Sequence, residues 1–262
     1  MSASSIQDDQ PPFTQSSTSW VPIDKPYTTD PDIIEQMTDE YVGCLCQGSN
    51  SCNDSSSCLC LKLSQGSNFY SGKLVAPPNL HGYQKPVLEC HSNCACSNQF
   101  CGNQVLGRGP LPCLTIYETV SKGQALKTDR DIIQNTFVCE YIGELIQSQE
   151  AKKRLAYCRT PNYLLCVQER FSTNQTNTYI DARHYGNLSR FINHSCEPNL
   201  VSVVMRSGCN LPRIGLFAAR NIAAEEELTF SYGSSESALS KTRCLCGSSS
   251  CTGFLPFDGV SD

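Results

Sequence analysis

The stretch Arg190-Phe-Ile-Asn-His-Ser-Cys-Glu-Pro-Asn199 decides how this chain folds. Its ten residues carry an amide, an imidazole, a hydroxyl, a thiol and a proline-terminated turn, which is unlike the apolar or alternating pattern of a core strand. Nine cysteines crowd together upstream, between residues 44 and 101, and three more lie near the C-terminus. A tyrosine sits between, in Thr229-Phe-Ser-Tyr232. We expect the rest of the chain to support this central stretch.

Length and composition are those of an ordinary globular protein. The 262 residues are 39% hydrophobic with a net charge of -5, which predicts one large domain or two smaller ones. The acidic balance argues against direct, sequence-specific nucleic acid binding and favours a basic peptide as partner. The sequence lacks both the roughly 18-residue apolar run of a membrane helix and the features of a signal peptide. We therefore expect a protein of the reducing cytosol or nucleus, with no membrane partner.

The upstream cysteines have the spacing of metal ligands. In a reducing compartment, closely spaced thiolates indicate zinc rather than disulfides. The nine are Cys44, Cys46, Cys52, Cys58, Cys60, Cys90, Cys94, Cys96 and Cys101. Because about three tetrahedral zinc ions require about twelve ligand positions, nine thiolates suffice if three of them each bridge two metals. The predicted structure is a compact cluster, and the alternative is a set of free or disulfide-paired cysteines.

The C-terminal cysteines indicate a second, smaller site. Cys244, Cys246 and Cys251 offer three thiolates, one fewer than a structural zinc ion requires. Cys196, in the central stretch, is the predicted fourth ligand and would fasten the C-terminal tail over residues 190–199. A histidine or a free thiol such as Cys209 is the alternative.

Between the two cysteine groups the sequence is mainly β. Short strand-like runs separated by turn signals occupy residues 113–117, 137–141, 163–167, 179–180 and 213–218. Residues 149–157 are the best helix candidate, with Lys152-Lys153-Arg154 interpreted as its solvated face. Cys139, Cys158 and Cys166 lack metal spacing and are predicted to be small core residues. The acidic run Glu225-Glu226-Glu227 is interpreted as a solvated turn.

In joint order the motifs resemble those of the SET-domain protein lysine methyltransferases that carry pre-SET and post-SET modules. The motifs are the nine-cysteine block, Glu140-Tyr-Ile-Gly-Glu144, Tyr179-Ile-Asp-Ala182, Gly186-Asn187, the central stretch, Glu227-Leu-Thr-Phe-Ser-Tyr232 and the closing Cys244-x-Cys246-x4-Cys251. The resemblance covers residues 41–257. It implies a mainly β fold of small curved sheets with few helices, in which the C-terminal segment threads beneath a loop as a pseudoknot.

The same resemblance implies a domain order. An N-terminal tail that wraps or dangles, partly ordered at best, takes residues 1–40. A triangular three-zinc pre-SET module follows in residues 41–111, then the catalytic SET domain in residues 112–233. A zinc-binding post-SET segment closes the chain in residues 234–262.

The implied reaction is transfer of a methyl group from S-adenosylmethionine to a lysine ε-amine of a histone tail. By family pattern Tyr232 is the central catalytic residue, Tyr141 lines the same lysine channel and Phe230 influences how many methyl groups are added. A Phe leaves room for water that a hydroxyl would otherwise hold, so up to two or three methyl groups are expected. The implied partner is the histone H3 tail or the nucleosome, at lysine 36, 4 or 9. The implied location is the nucleus and chromosome.

Cofactor and metal positions follow from the same family pattern. The cofactor-binding positions are Lys122, Gly123, Gln124, Ala125, Tyr163, Arg190, Asn193, His194 and Phe254. The bridging zinc thiolates are Cys44, Cys52 and Cys90, and the pattern implies four zinc ions per chain, three in pre-SET and one in post-SET.

Three positions depart from the family pattern. Gly123-Gln124-Ala125 stands where the cofactor loop usually reads Gly-Trp-Gly, and Ala cannot take conformations reserved for glycine. Asn135 replaces a turn glycine, although Asn tolerates a left-handed turn better than most residues. Ser231 stands where Asp is common. The alternative function is therefore a catalytically weakened SET protein that serves as a zinc-stabilised chromatin- or peptide-binding module.

Overall fold

A computed structural model describes residues 20–38, 41–47, 52–53, 57–75, 85–96, 101–157, 163–171, 174–233 and 242–256 of the chain. Residues 1–19 of the predicted tail and Cys158, a predicted core cysteine, lie outside the described residues. Within those ranges, no helix is long and apolar enough to cross a lipid bilayer.

Strands outnumber helices. In chain order the strands are β1 (Val21–Pro22), β2 (Phe69–Tyr70), β3 (Lys73–Leu74), β4 (Val87–Glu89), β5 (Leu114–Thr119), β6 (Gly123–Thr128), β7 (Phe137–Tyr141), β8 (Gly143–Ile146), β9 (Leu164–Phe171), β10 (Asn174–Gly186), β11 (Asn193–His194), β12 (Leu200–Ser207), β13 (Arg213–Ala218) and β14 (Thr229–Phe230). The α-helices are α1 (Pro31–Thr38), α2 (Leu59–Leu63) and α3 (Ser148–Tyr157), and 3-10 helices cover Leu106–Arg108 and Leu188–Phe191. The prediction of a mainly β fold with few helices is confirmed.

The strands form several small sheets rather than one large one. One sheet has the order β1-β10-β8, with β9 also paired to β10, and another has the order β4-β12-β13-β7. The pairs β5-β6, β2-β3 and β11-β14 form two-stranded sheets. Strand β13 lies inside its sheet and is buried from its second residue to its last, which explains why it reads as an apolar run rather than an alternating one. Ile180 of β10 and Leu216 of β13 both belong to the main core.

The end of the predicted tail packs against the sheets formed by residues 114–230, which we call the β domain. Strand β1 pairs in parallel with β10, and Ile33 of α1 is buried. The side chain of Asp30 accepts hydrogen bonds from the backbone N–H groups of Asp32 and Ile33 at 3.0 and 3.2 Å, as a helix N-cap does. Residues 20–38 therefore wrap around the sheet.

The cysteine-rich region shares a sheet with the β domain. Strand β4, which immediately precedes Cys90, pairs in parallel with β12 and aligns Val87 with Met205. Both side chains are buried in a second core that also holds Phe69 and Phe217. The apolar packing on which the β domain rests thus continues into the cysteine-rich region.

Strands β11 and β14 bring the two polar stretches of sequence together. They pair in parallel, with Asn193 opposite Thr229 and His194 opposite Phe230. The Asn199 side chain secures this pairing, because it accepts a hydrogen bond from the Thr229 N–H and donates one to the Glu227 carbonyl, each at 2.8 Å. The C-terminal segment is thereby held against the central stretch, as the expected pseudoknot requires.

Asn135, which stands where the family pattern has a turn glycine, adopts the left-handed conformation that Asn tolerates, with a φ of 67°. Its backbone N–H donates to the Ala218 carbonyl at 2.8 Å, and its own carbonyl accepts a hydrogen bond from the Leu74 N–H at 2.9 Å. This turn therefore ties the β2-β3 hairpin to the end of β13.

The basic run in α3 is only partly solvated. The Lys153 side chain is exposed, whereas Arg154 lies 2.7 Å from Glu144, 2.8 Å from Asp181 and 2.9 Å from Glu150. The Asp181 side chain is 1% exposed, so this arginine compensates a buried charge. The interpretation of the run as a solvated face is wrong for Arg154, which fastens α3 to β8 and β10.

Candidate active site and metal centres

The polar stretches meet at a cavity of about 480 Å³, a volume typical of ligand pockets. Many of the predicted site residues line it: Lys122, Gly123, Gln124, Tyr141, Tyr163, Arg190, Asn193, His194, Phe230 and Tyr232. They come from the β11-β14 pair and the residues just after it, the start of β6 and the residue before it, the end of β7, the residue before β9 and the 3-10 helix Leu188–Phe191. The fold thus brings together side chains that lie more than a hundred residues apart in sequence.

Three aromatic rings stand at one end of the cavity. The ring centroid of Phe230 lies 6.0 Å from that of Tyr141 and 5.0 Å from that of Tyr232. Phe230 and Tyr141 are buried, and Tyr232 packs against the same core. These are the residues that the sequence predicts for the lysine channel, and they form an apolar, aromatic wall.

The two tyrosine hydroxyls are fixed by backbone carbonyls. The Tyr141 hydroxyl donates to the Tyr163 carbonyl at 2.8 Å, and the Tyr232 hydroxyl donates to the Ile192 carbonyl at 2.9 Å. Burial raises the pKa of both phenols above the ordinary value, so both are neutral at physiological pH. Each hydroxyl uses its only hydrogen to donate to a carbonyl, and its oxygen keeps lone pairs that can accept a hydrogen bond.

Strand β11 places His194 beside Tyr232. The two ring centroids are 5.4 Å apart, and burial lowers the pKa of His194. A neutral imidazole in this position has one acceptor nitrogen and one donor nitrogen. The His194 side chain can therefore donate one hydrogen bond and accept another from neighbouring groups.

The loop before β6 is held by the acidic run. Glu227 accepts a hydrogen bond from the Lys122 ammonium at 2.7 Å and one from the Asn193 side-chain amide at 3.0 Å. Glu226 contacts Arg220 and Asn199 in the same way. The interpretation of this run as a solvated turn is therefore wrong for Glu226 and Glu227, whose carboxylates join separate segments of the chain.

Within the predicted cofactor loop, Gly123 is the residue whose backbone conformation favours glycine. This residue has a φ of +71°, and a side chain at this position would meet no atom within 4 Å. Ala125 lies in β6, paired with Tyr117 in an ordinary antiparallel ladder. It is fully buried and has no positive φ, so the conformational objection to alanine does not apply there.

Two predicted cofactor residues stand beside the cavity rather than in it. Ala125 is buried in the sheet behind the loop, and Phe254 is 38% exposed and forms a backbone bridge with Arg243. The cavity is also lined by residues that were not predicted as site residues: Ser121, Leu164, Leu165, Phe191, Ile192, Thr242, Arg243, Leu245, Leu255 and Pro256. The position of Leu245 between Cys244 and Cys246 was the sequence signal that could have predicted the lining residues from the C-terminal segment.

All nine upstream cysteines gather in one buried cluster. Within overlapping groups of four their sulfur atoms all lie within 4.8 Å of one another. The Sγ–Sγ distance is 3.9 Å from Cys44 to Cys52, 3.9 Å from Cys44 to Cys90 and 4.0 Å from Cys58 to Cys90. Four thiolates held about 2.3 Å from a tetrahedral zinc ion would be about 3.8 Å apart. The cluster therefore fits zinc, and Cys44 and Cys90 recur in several of the groups.

The C-terminal cysteines form a second group of four with Cys196. The sulfurs of Cys196, Cys244, Cys246 and Cys251 all lie within 4.8 Å of one another, and those of Cys196 and Cys244 are 3.9 Å apart. All four residues are half-buried, in contrast to the buried upstream cluster. Cys209, the alternative fourth ligand, is not in this group. No disulfide bond joins any two of the described cysteines, as the zinc prediction requires.

Two family comparisons match this arrangement. Residues 123–233 match the SET domain family, and residues 3–104 match the Pre-SET motif family. The chain is 35% identical over 226 residues to a probable histone-lysine N-methyltransferase, set-23 of Caenorhabditis briggsae, covering 85% of this chain and 90% of the relative. It is 34% identical over 236 residues to the histone-lysine N-methyltransferase SETMAR of Homo sapiens, covering 83% of this chain and 34% of that relative.

Solved structures show the same fold. The methyltransferase domain of human SETMAR superposes with a TM-score of 0.77 at 30% identity, covering 95% of this chain and 93% of that domain. KRYPTONITE, crystallised with mCHH DNA, an H3(1-15) peptide and SAH, superposes with a TM-score of 0.73 at 29% identity. That match covers 92% of this chain and 48% of KRYPTONITE. The mainly β fold with a cysteine-rich first module is therefore shared with proteins of known structure.

Proposed function

Because this chain belongs to the SET-domain family of histone-lysine N-methyltransferases, we propose that it methylates a lysine of the histone H3 tail in nucleosomes. The family's reaction depends on S-adenosylmethionine. Support for the H3 tail comes from KRYPTONITE, whose structure contains an H3 peptide. The net charge of -5 also suits a basic peptide. Such a substrate implies a nuclear, chromosomal location.

The observation that carries the proposal is the placement of two neutral phenols at the aromatic end of the cavity. Tyr141 and Tyr232 donate to backbone carbonyls, which leaves their oxygen lone pairs for the substrate. Both oxygens can accept hydrogen bonds from a lysine ε-amine that enters along the rings. The amine is thereby held in one orientation, which is the main requirement for an in-line transfer.

The channel also favours the reactive, neutral form of the substrate. A lysine ε-amine normally has a pKa of about 10.4, and a desolvated aromatic environment lowers that value. Burial raises the pKa of Tyr232, so the phenol is a poor phenolate base at physiological pH. We therefore assign Tyr232 to orienting the amine, and the proton leaves to water.

The cofactor would occupy the rest of the cavity. S-adenosylmethionine supplies an already activated methyl group on its sulfonium sulfur. The backbone at Asn193 and His194, the loop Lys122-Gly123-Gln124, Tyr163 and Arg190 line this part and would hold it. Ala125 and Phe254 lie outside the lining and are left out of the proposed contacts.

Zinc has a structural role in the proposal. The nine upstream thiolates would hold three ions, bridged by Cys44, Cys52 and Cys90, and Cys196 with the C-terminal cysteines would hold a fourth. Ser, Asn and Gly dominate the sequence between these ligands, so metal binding would supply much of the folding free energy of the module.

Product state and target lysine belong to the same proposal. Phe230 is 2% exposed and presents no hydroxyl to the channel, which favours addition of up to two or three methyl groups. The candidate positions on H3 are lysines 36, 4 and 9.

Binding and turnover are tested separately. S-adenosylmethionine is titrated by calorimetry, and the protein is then incubated with nucleosomes and labelled cofactor, with methylated H3 positions mapped by mass spectrometry. We expect saturable heat and label on one of the three lysines. Heat without label on any substrate would overturn the proposed methylation of H3, and binding of an H3 peptide without turnover would support the weakened, peptide-binding alternative. Absence of both heat and label would overturn cofactor binding as well.

A further inference from the structure

Arg190 is a buried cation held by carbonyls and aromatic rings. It is 7% exposed, and its guanidinium donates to the Ala182 carbonyl at 2.9 Å and to the Arg183 carbonyl at 3.2 Å. Its central carbon lies 4.1 Å from the ring centroid of Tyr163 and 5.1 Å from that of Trp20. Among the described residues, no carboxylate forms an ion pair with it. Its charge is therefore stabilised mainly by dipoles and ring faces.

The contacts of Arg190 lead directly to the lysine channel. The Tyr163 ring faces the guanidinium, while the Tyr163 carbonyl accepts the Tyr141 hydroxyl at 2.8 Å and the Ala182 N–H at 3.1 Å. Ala182 thus binds Arg190 through its carbonyl and Tyr163 through its N–H. A displacement of Arg190 would shift the carbonyl that fixes the Tyr141 hydroxyl.

Trp20 reaches this network from the N-terminal segment. Its ring also packs edge-on against Phe191, with centroids 5.7 Å apart, yet it does not line the cavity itself. The segment is fastened to the sheet by the Ile23 N–H, which donates to the Gly186 carbonyl at 2.7 Å, and by backbone bonds at Tyr27. Trp20 is the single tryptophan of the chain.

We propose that Trp20 is a positioning residue for lysine methylation, which holds the Arg190 guanidinium against Tyr163 and, through the Tyr163 carbonyl, sets the Tyr141 hydroxyl in the channel. The inference rests on the proposed function of the cavity. It makes the segment that precedes the cysteine-rich module part of the catalytic apparatus. The ring excludes water from one side of the guanidinium, which strengthens the remaining electrostatic contacts. Without it, the guanidinium would keep its hydrogen bonds to the Ala182 and Arg183 carbonyls but lose the ring face that holds it against Tyr163.

The single tryptophan provides a direct optical signal. We expect S-adenosylmethionine to change the intrinsic fluorescence of the full chain saturably, with the midpoint that calorimetry gives. Trp20 is outside the cavity lining but contacts Arg190 and Phe191, which line it, so a change at either residue would alter the surroundings of the indole. If calorimetry shows binding and the fluorescence does not respond, the coupling is refuted while the proposed function stands.

Kinetics of three variants test the positioning role. Trp20→Ala should lower kcat/KM for an H3 peptide by about tenfold, which corresponds to about 1.4 kcal/mol and to a desolvated cation–π contact. The loss should fall mainly on kcat. Trp20→Phe, which retains a ring face, should recover most of it.

Tyr27→Ala is the matched control, because Tyr27 lies in the same segment and its ring packs at a tilt against that of Tyr185, with centroids 4.5 Å apart. It should lower the melting temperature and leave kcat nearly unchanged. Equal losses of kcat in Trp20→Ala and Tyr27→Ala, with no recovery in Trp20→Phe, would overturn the proposal and reduce Trp20 to a packing residue. If S-adenosylmethionine does not bind the wild-type chain at all, the proposed function fails first.

Discussion

The Sγ atom of Cys196 lies 3.5 Å from Nε2 of His194, and Nδ1 of the same ring accepts a hydrogen bond from the Tyr232 N–H at 3.2 Å. One imidazole therefore connects a cysteine of the C-terminal group to the tyrosine at the aromatic end of the cavity. Because Nδ1 is an acceptor, the neutral ring carries its proton on Nε2, facing the sulfur.

Replacement of Cys196 by Ala should remove the connection between the C-terminal cysteine group and Tyr232. We expect the loss of one zinc ion per chain and of most methyl transfer, while the buried upstream cluster stays loaded. Zinc content by atomic absorption and activity on H3 peptide are the measurements. Cys209→Ala alters a cysteine outside the C-terminal group of four and should leave zinc content and activity at the wild-type level. Full zinc content and activity in Cys196→Ala would show that another residue completes the site.

Tyr232→Phe should lower kcat by about 100-fold, the effect expected when a reacting group is misplaced by about an ångström. The fold should be unchanged, because only the hydroxyl that donates to the Ile192 carbonyl is removed. Circular dichroism and cofactor binding serve as controls. A variant with near wild-type kcat would remove Tyr232 from the mechanism.

The pH dependence of the wild-type rate follows from the same phenol. A phenol is neutral below its pKa, and burial raises the pKa of Tyr232 and Tyr141 above 10. Between about pH 7 and pH 9.5 the rate should therefore rise as the substrate amine, with a pKa of about 10.4 in water, loses its proton. A fall within that range in an enzyme that remains folded would mean that one of the tyrosines ionises there.

Phe230→Tyr should shift the products toward monomethyl-lysine. The ring of Phe230 is adjacent to those of both Tyr141 and Tyr232, so a hydroxyl added to it would compete for the space and hydrogen bonds around the amine. Mass spectrometry of H3 peptide at full conversion gives the product distribution. An unchanged distribution would show that another residue limits the number of methyl groups.

Arg213→Ala should lower the free energy of unfolding by about 3–5 kcal/mol, because it leaves the buried Glu140 carboxylate without its partner. The two side chains are joined at 2.7 and 2.5 Å, and the Glu140 side chain is 2% exposed. Urea unfolding measures the difference. The double variant with Glu140→Gln should regain part of the loss, since the uncompensated charge is gone. A single-variant cost below 1 kcal/mol would mean that water reaches the carboxylate.

Metal-ligand spacings and family motifs were predictable from the sequence. Cysteine spacing predicted the two sulfur clusters, and the resemblance to the SET family implied that Asn193 and His194 meet Tyr232. The strands at residues 137–141 and 213–218 have the predicted bounds, because both lie in a sheet whose apolar runs are short and bounded by turn residues.

Long-range contacts of charged side chains were not predictable. Arg154 and Glu227 look like solvated charges in their local sequence, yet each compensates partners more than 20 residues away. Trp20 lies in a segment of polar composition, and its contact with Arg190 depends on the parallel pairing of β1 with β10. Local sequence patterns carry no information about such partners, because the tertiary fold determines which distant residues come into contact.

Strand β4 belongs to the stretch that matches the Pre-SET motif, while its partner β12 belongs to the stretch that matches the SET domain. A hydrogen-bonded ladder therefore crosses the border between the two families. Chimeras in which one relative donates the metal-binding half and another the β half will need compatible ladder edges on both sides of the join. Recombination of the two halves is thus constrained by backbone register as well as by surface complementarity.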